Sequence, residues 1–542
     1  MRLNVFNVSV SKGRELSKPM QILSGPQASP DLSANESSRK TTVRECQISP
    51  NWSGPRQPFR HTWEGIINVD QFRWLVRRDL QEQLELAQRE LRATHVRAVG
   101  MFDDEMRVFC PGPGAFMGYE AKDPRTNWQT VDYVIDSLLD RKLQPVFTTS
   151  FIPSAMAGGP VTVFSTRAHT SPPRELVQWE AFVRDAVQHA VDRYSLEVVR
   201  QWPFEVWNEP NLQGWFWGGD QADFHRLWAA TYRAIKAVDP RLRVGGPSTG
   251  RAEWLEELLD YGATHNCPPD YLITHIYNND SAADNPLAPF DPTAAVRGSK
   301  SPTFAMDIIR DVRTRLTKRG FTGEVHWNEW GRSFHAVDHH REQPSEAAFI
   351  ARLLADVSQE ADVFSYWCLS DIYDQVGYGR EAFFGGYGLL NLQGLRKPAY
   401  HTFELLAKLG TQRVTIPGEQ RDAACNAIVT TATGRAHVLV YAADPAGESQ
   451  RQSVEVSVSL PAGARPLTLH RIDSIENNVL TQWQELGSPA YLSRHQTKEL
   501  AADNALKASS TPIRFEADAD HSTARFIMES PGVALLEVEL KS

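Results

Sequence analysis

Two carboxylic acids occupy matching positions in this chain. Residues 202–211 read Trp-Pro-Phe-Glu-Val-Trp-Asn-Glu-Pro-Asn, an apolar, strand-like run that delivers Glu209 into a turn. Residues 324–330, Glu-Val-His-Trp-Asn-Glu-Trp, present Glu329 in the same way 120 residues further on. A pair of carboxyl groups at the mouths of two strands is the minimum equipment for cleaving a glycosidic bond, one serving the leaving oxygen and the other the anomeric centre. A single strand-end glutamate is more often a salt-bridge partner, so the reading rests on the pair. Glu209 is flanked by Trp207, Asn208, Pro210 and Asn211, and apolar walls of this kind favour a protonated general acid. Glu329 lies between Trp327 and Trp330, where a role as nucleophile requires the ionised form.

From about residue 59 the elements that must position these groups alternate between helical and strand periods. Leu80, Leu84, Ala87 and Leu91 fall on one helical stripe, and Val131, Val134, Ile135, Leu138 and Leu139 on another. Further helices are predicted over 176–194, 224–238, 253–261, 304–319 and 345–360. The intervening strands are predicted over 62–69, 95–101, 144–151, 202–207, 242–246, 271–277, 324–328 and 363–369. Eight strands interleaved with helices predict an α/β fold, a closed parallel (β/α)8 TIM barrel over residues 59–410, with reactive groups at the carboxyl ends of the strands. Glu209 then ends the fourth strand and Glu329 the seventh. A doubly wound sheet would want a glycine-rich phosphate turn, and Gly112-Pro-Gly-Ala-Phe-Met-Gly118 has the wrong spacing and a proline. Beyond residue 411 the period falls to two over 436–441, 454–460, 467–472, 523–528 and 533–540, predicting a C-terminal antiparallel β-sandwich over 411–542. Residues 1–58, rich in Ser, Pro and Gly, read as an N-terminal arm that lends the sandwich a strand.

Composition removes several function classes. At 542 residues the chain exceeds the roughly 250–300 over which one core stops growing. A net charge of -9 with no basic block argues against nucleic acid as a partner. Cys46, Cys110, Cys267, Cys368 and Cys425 are odd in number and lack C-x-x-C spacing, which reads as buried thiols rather than disulfides or a zinc site. No run of 18 apolar residues and no apolar leader occurs, so no membrane partner and a cytoplasmic location are expected. Asp338-His339-His340 reads as a solvated loop rather than a metal site, and neither a metal nor an organic cofactor is expected.

A longer set of segments, in order, resembles glycoside hydrolase family 39, a retaining family with (β/α)8 barrels that includes β-xylosidases and α-L-iduronidases. They are Arg78-Asp-Leu-Gln-Glu-Gln-Leu84, Phe102-Asp-Asp-Glu-Met106, Ser150-Phe-Ile-Pro-Ser-Ala155, Gly245-Gly-Pro247, Thr274-His-Ile-Tyr277, Phe364-Ser-Tyr-Trp367, Gly385-Gly-Tyr-Gly-Leu-Leu390 and Gly487-Ser-Pro489. The resemblance spans most of residues 60–506. It implies that Glu209 is the acid/base and Glu329 the nucleophile, and that Asn208 hydrogen-bonds the sugar 2-hydroxyl. It also implies that His275 and Tyr277 surround the nucleophile, with the Tyr277 hydroxyl orienting Glu329, and that Trp367 offers a flat face to the sugar ring. The residues alone leave other readings open: Asn208 as a turn residue, His275 and Tyr277 as a packed pair, Trp367 as core. Trp215, Phe216 and Trp217 either line the leaving-group side or pack between domains.

The chain departs from the family pattern in three places. Arg97-Ala-Val-Gly100 has Val99 where the family's β-xylosidases commonly carry a sugar-contacting histidine. An acidic pair after the eighth strand becomes Asp374-Gln375, with Asp374 kept as a substrate-binding candidate. The first strand carries Glu64, Asn68, Asp70 and Gln71 in place of a short glycine-rich stretch; these either supply substitute hydrogen bonds or end the strand. The expected function is that of a retaining exo-glycosidase similar to β-xylosidase, acting on an oligosaccharide or glycoside. The alternatives are another glycone, L-arabinose or a uronic acid paired with Arg332, or a catalytically silent carbohydrate-binding relative. By analogy with the family, a homo-oligomer is possible.

Overall fold

The computed structural model describes residues 43–110, 125–280, 303–375, 379–418, 424–443, 451–517 and 522–541. The glycine-containing segment 112–118 and the first 42 residues of the arm lie outside them.

The larger part of the chain is an α/β fold built on curled parallel sheet. One sheet joins Ile66–Gln71, His95–Val99 and Gln144–Pro145. The other runs Phe147–Thr148, Phe204–Glu205, Val244–Thr249, Tyr271–Tyr277, Val325–Gly331, Val363–Tyr366, every pair parallel. The two sheets meet within residues 144–148, where the Val146 N–H bonds Val96 O and the Phe147 N–H bonds Pro203 O, both at 2.8 Å. At the far edge the Phe364 N–H reaches Thr62 O at 2.8 Å and the Leu369 N–H reaches Asn68 O at 2.9 Å.

Every residue of Val244–Thr249, Tyr271–Tyr277 and Val325–Gly331 is buried. That is why these strands read as near-continuous apolar runs: helices cover one face and side chains fill the other. Gly245 is required by this packing, because a Cβ there would lie 2.2 Å from the Tyr271 ring. The predicted helices appear as Arg78–Leu91, Gln129–Asp140, Leu176–Tyr194, Gln221–Val238, Leu255–His265, Phe304–Lys318 and Pro344–Val357. The first strand starts at Ile66 rather than 62, since residues 62–65 form a turn closed by Gly65 at φ 100. Pro398–Leu406 is a helix that the sequence reading did not anticipate. Pro398 through Phe403, Leu405 and Leu406 are all buried, and a helix covered on every side has no amphipathic period to betray it.

The C-terminal region holds two further sheets. One is ordered Arg44–Ile48, Gln452–Leu460, Ser522–Ser530, Arg514–Ala517. The other is ordered Gln57–Pro58, Gln412–Arg413, Cys425–Ala432, Arg435–Ala442, Gly532–Glu539, Arg465–Ile472. Val454, Val456, Val458, Phe526 and Met528 of the first share one apolar cluster with Val429, Val438, Val440 and Leu536 of the second. The N-terminal segment enters both sheets: Arg44–Ile48 pairs parallel with Val454–Val458, and Gln57–Pro58 pairs antiparallel with Gln412–Arg413. Two helices, Val479–Glu485 and Arg494–Asp503, interrupt the expected all-β pattern. The second opens with a Ser493/Gln496 capping box, an S-x-x-Q signature present in the sequence.

The cysteine reading needs correction. Cys46 and Cys425 form a disulfide across a sequence separation of 379, joining a strand of one C-terminal sheet to a strand of the other. Cys267 and Cys368 are buried free thiols. Spacing gave no signal because the partners sit near opposite ends of the chain. Among the described residues no helix is long and apolar enough to cross a membrane. Cys425→Ser is expected to lower unfolding stability by about 2–4 kcal/mol, read as a fall in denaturation midpoint that dithiothreitol reproduces in the parent protein and not in the variant.

Candidate active site

The fourth strand, Phe204–Glu205, ends two residues before the turn that carries Asn208 and Glu209. Trp207 and Glu209 both hold positive φ, 68° and 47°, a conformation that costs a non-glycine residue about 1 kcal/mol or more. The turn is held by its neighbours. The Glu209 N–H bonds Ser248 O at 2.7 Å, the Trp207 Nε1–H bonds Phe216 O at 2.7 Å, and the Asn211 side chain exchanges two 3.0 Å bonds with the Gly250 backbone. Gly250 lies against the acid itself: a Cβ there would come within 3.1 Å of Glu209 Oε1.

Glu329 projects from Val325–Gly331 and His275 from the adjacent Tyr271–Tyr277, where the two residues are register partners. One carboxylate oxygen of Glu209, one of Glu329 and a ring nitrogen of His275 all lie within 4.8 Å of one another. His275 Nδ1 is 3.0 Å from Glu209 Oε1 and 3.6 Å from Glu329 Oε2. The Tyr277 hydroxyl donates to Glu329 Oε1 at 2.6 Å, and Arg97 Nη1 donates to Glu329 Oε2 at 3.1 Å. These three donor groups are spaced closely enough to hold a small cation. The Arg97 charge on Glu329, however, already occupies the electrostatic place a cation would take.

Beneath the pair lies a fully buried ionic network that the sequence reading did not assign. The Arg97 guanidinium forks onto Glu205, with Nη2 2.8 Å from Oε1 and Nε 2.9 Å from Oε2. Its other N–H groups reach Asn208 Oδ1 at 2.8 Å and Asn68 Oδ1 at 3.3 Å. Glu205 further accepts from Ser248 Oγ at 2.6 Å and from Asn328 Nδ2 at 2.9 Å. A signal existed: Arg97 and Glu205 are lone charges within otherwise apolar strands, and a charge buried there must find a partner.

Protonation follows from these contacts. Burial pushes the Glu329 carboxyl above its ordinary range, with the nearby Glu209 adding to the rise; His275, Arg97 and Tyr277 pull the other way. Burial alone would depress His275, but the charges of Glu329 and Glu209 outweigh it and hold the imidazole above its usual value. For Glu205 burial opposes ionisation, and the Arg97 charge and hydrogen bonds overcome it.

The other nominated residues take different places. Asn208 joins the network through Arg97. Trp367 lies beside it, its ring 6.0 Å from the Arg97 guanidinium carbon, in a cluster with Tyr277, Tyr373 and Tyr387. Asp374 does not reach the glutamate pair in any described contact; its Oδ2 accepts from Arg73 Nη2 at 2.9 Å and from Ser165 Oγ. Of the first-strand candidates, Glu64 pairs with His61 at 2.9 Å, and Asn68 bonds the carbonyls of Asn328 and Tyr366. Asp70 accepts from Trp74, Gln71 and the Asp374 N–H, with burial pushing its carboxyl up to about 6. Trp215 is exposed, Phe216 stacks near Phe151, and Trp217 is buried against Trp207. Arg332 turns away to Glu346, at 2.5 Å, and to Ser345 O, so it offers no free charge for a uronate. The segment Asp338-His339-His340 is not a loop throughout: half-buried Asp338 caps the 3-10 turn His339–Glu342 and pairs with exposed His340 at 2.9 Å.

The comparisons point to one family. A profile described as Glycosyl hydrolases family 39 matches residues 47–520. A β-xylosidase of Caldicellulosiruptor saccharolyticus is 31% identical over 464 residues, covering 85% of this chain and 92% of the relative. A monomeric β-xylosidase from Caulobacter crescentus has a TM-score of 0.78 at 26% identity, covering 92% of this chain and all of that one. A family 39 enzyme from Xanthomonas axonopodis pv. citri has a TM-score of 0.77 at 27% identity, covering 92% and 98%.

The Tyr277 bond favours ionised Glu329, so its loss raises the carboxyl further. Tyr277→Phe is expected to move the acid limb of the pH–activity profile upward by about one unit, and a limb that stays in place or moves down contradicts this geometry.

Proposed function

Because the chain belongs to glycosyl hydrolase family 39, we propose that it removes a terminal xylose-like sugar from a short glycan, with Glu329 as nucleophile and Glu209 as acid/base. The chain is a glycoside hydrolase and its substrate is a carbohydrate. The observation that carries the residue assignment is the approach of the two carboxylates to within 4.8 Å. Retaining enzymes need carboxyl groups about 5–5.5 Å apart, whereas inverting ones leave about 6.5–9.5 Å for a water.

Unequal surroundings support the two roles. Glu329 receives bonds from Arg97 and Tyr277, donors that favour a carboxylate able to attack the anomeric carbon. Glu209, the acid by its place after the fourth strand, gives its proton to the departing oxygen, and His275 at 3.0 Å steadies the carboxylate that remains. In the second half-reaction Glu209 takes a proton from water, the water oxygen bonds the anomeric carbon, and Glu329 leaves. Asn208 commits its oxygen to Arg97, which supports its amide N–H as the donor to the sugar 2-hydroxyl. Trp367 supplies a flat face for ring carbons. Asp374, with Oδ2 bound by Arg73 and Ser165, meets a glycone hydroxyl through Oδ1.

The framework belongs to the same proposal. The bonds Val146 to Val96, Phe147 to Pro203 and Phe364 to Thr62 support closure of the parallel strands into one eight-stranded barrel. The apolar cluster shared by the two C-terminal sheets supports a β-sandwich. The Cys46–Cys425 bond favours an oxidising compartment over the cytoplasm.

Glu329→Ala is expected to lose on the order of 10⁴-fold or more in rate, and Glu209→Ala about 10²–10⁴-fold on substrates with poor leaving groups. Early product followed by NMR should keep the substrate's anomeric configuration, and nitrophenyl xyloside should outperform the arabinoside and glucuronide. An inverted product, or a fully active Glu329→Ala, overturns the mechanism; preference for another glycoside overturns only the sugar.

A further inference from the structure

The geometry points to Glu205 as a positioning residue of the reaction, one that orients Arg97 and divides its charge before that charge reaches Glu329. This rests on the roles given above to Glu329 and Glu209. Glu205 lies four residues before the acid/base and touches neither carboxylate of the pair in any described contact. Its side chain has no exposure, and neither has that of Arg97.

An arginine has five N–H bonds to place, and here each has a partner. Nε and one N–H of Nη2 go to Glu205, the other N–H of Nη2 to Asn208, and the two of Nη1 to Asn68 and Glu329. The fork onto Glu205 fixes the plane of the guanidinium, and only that plane aims Nη1 at the nucleophile and Nη2 at the amide of Asn208. Glu205 is itself held from two further strands, by Ser248 and Asn328. One side chain thus couples four strands, from both parallel sheets, to the placement of a single N–H on Glu329.

The charge argument runs in parallel. A lone arginine 3.1 Å from a carboxylate in a low-dielectric interior would hold its electron pair tightly and blunt its attack on carbon. Glu205 shares that charge, leaving Glu329 ionised yet reactive. The groups facing Glu329 are Arg97, Glu209, His275, Tyr277, Tyr387 and Cys368. Those facing Glu205 are Arg97, His275, Ser248, Asn328 and Tyr271. Removing the Glu205 charge leaves Arg97 undivided and strengthens its pull on Glu329, the opposite of losing the Tyr277 hydroxyl.

The test is Glu205→Gln, similar in shape and uncharged, with Ser248→Ala, Glu329→Ala and the parent protein assayed beside it on a nitrophenyl glycoside. The expected result for Glu205→Gln is a loss in kcat on the order of 10- to 100-fold, KM changed far less, and the acid limb of the profile moved to lower pH. Ser248→Ala, which frees more of the Glu205 charge for Arg97, should move the limb the opposite way by a smaller amount. A limb that does not move in Glu205→Gln, whatever the rate loss, overturns the proposal and leaves Glu205 a structural ion pair. If calorimetry finds Glu205→Gln unfolded, Ser248→Ala decides alone: an upward shift supports the proposal, and no shift or a downward one overturns it. A fully active Glu329→Ala would instead sink the underlying mechanism, so the two failures are distinguishable.

Discussion

The site depends on one buried guanidinium. Arg97 spends its hydrogen bonds on Glu205, Asn208, Asn68 and Glu329, and those partners come from three strands, or the turn after one of them, in two sheets. Taking such an ion out of water costs several kcal/mol, recovered only if geometry and pairing are complete. The consequence is a steep well: a small displacement of any one strand leaves a buried donor or acceptor unpaired. The position of the nucleophile is therefore a property of the whole strand arrangement rather than of the strand that carries it.

The acid/base is placed by different means. Glu209 is not gripped by a counter-ion fork; the backbone that presents it is bent into a region rarely used by residues with side chains, at φ 47. The bend is held by bonds to Ser248 and Gly250 from the next strand and the loop after it. Ser248 also sits at positive φ, 56, and donates to Glu205. One residue thus serves both halves of the reaction centre, its carbonyl fixing the turn of the acid and its hydroxyl fixing the counter-ion beneath the nucleophile. A proton donor that must become an acceptor midway gains from fewer fixed partners, which fits the sparser contacts of Glu209.

What the sequence made legible follows a physical line. Glu209 and Glu329 stood out because each ends an apolar run, and the helical stripes stood out because half-buried helices keep a period of 3.6. Arg97 and Glu205 went unassigned because they were read as parts of motifs rather than as isolated charges that burial must pair. Pro398–Leu406 was missed for the reverse reason, since complete burial erases the pattern that marks a helix. The disulfide and the pairing of Arg44–Ile48 with the C-terminal sheet lie beyond any local signal, because strand partners are chosen by the assembled sheet and not by neighbours in the chain. Asp374 was read from the family resemblance alone, and its engagement with Arg73 depends on a side chain about three hundred residues upstream.

The threading of Arg44–Ile48 beside Val454–Val458 has a bearing on biosynthesis. At about 5–20 residues per second, the earliest of these segments leaves the ribosome roughly 20–80 s before its sheet partner exists. Through that interval it is a solitary strand with nothing to pair against except other nascent chains. Its alternation of Arg44, Glu45 and Gln47 with Cys46 and Ile48 limits that risk, for charged and amide side chains flank each apolar one. The chain is consequently a poor candidate for stepwise completion from the front: Arg44–Ile48 is among the last strands to find its place.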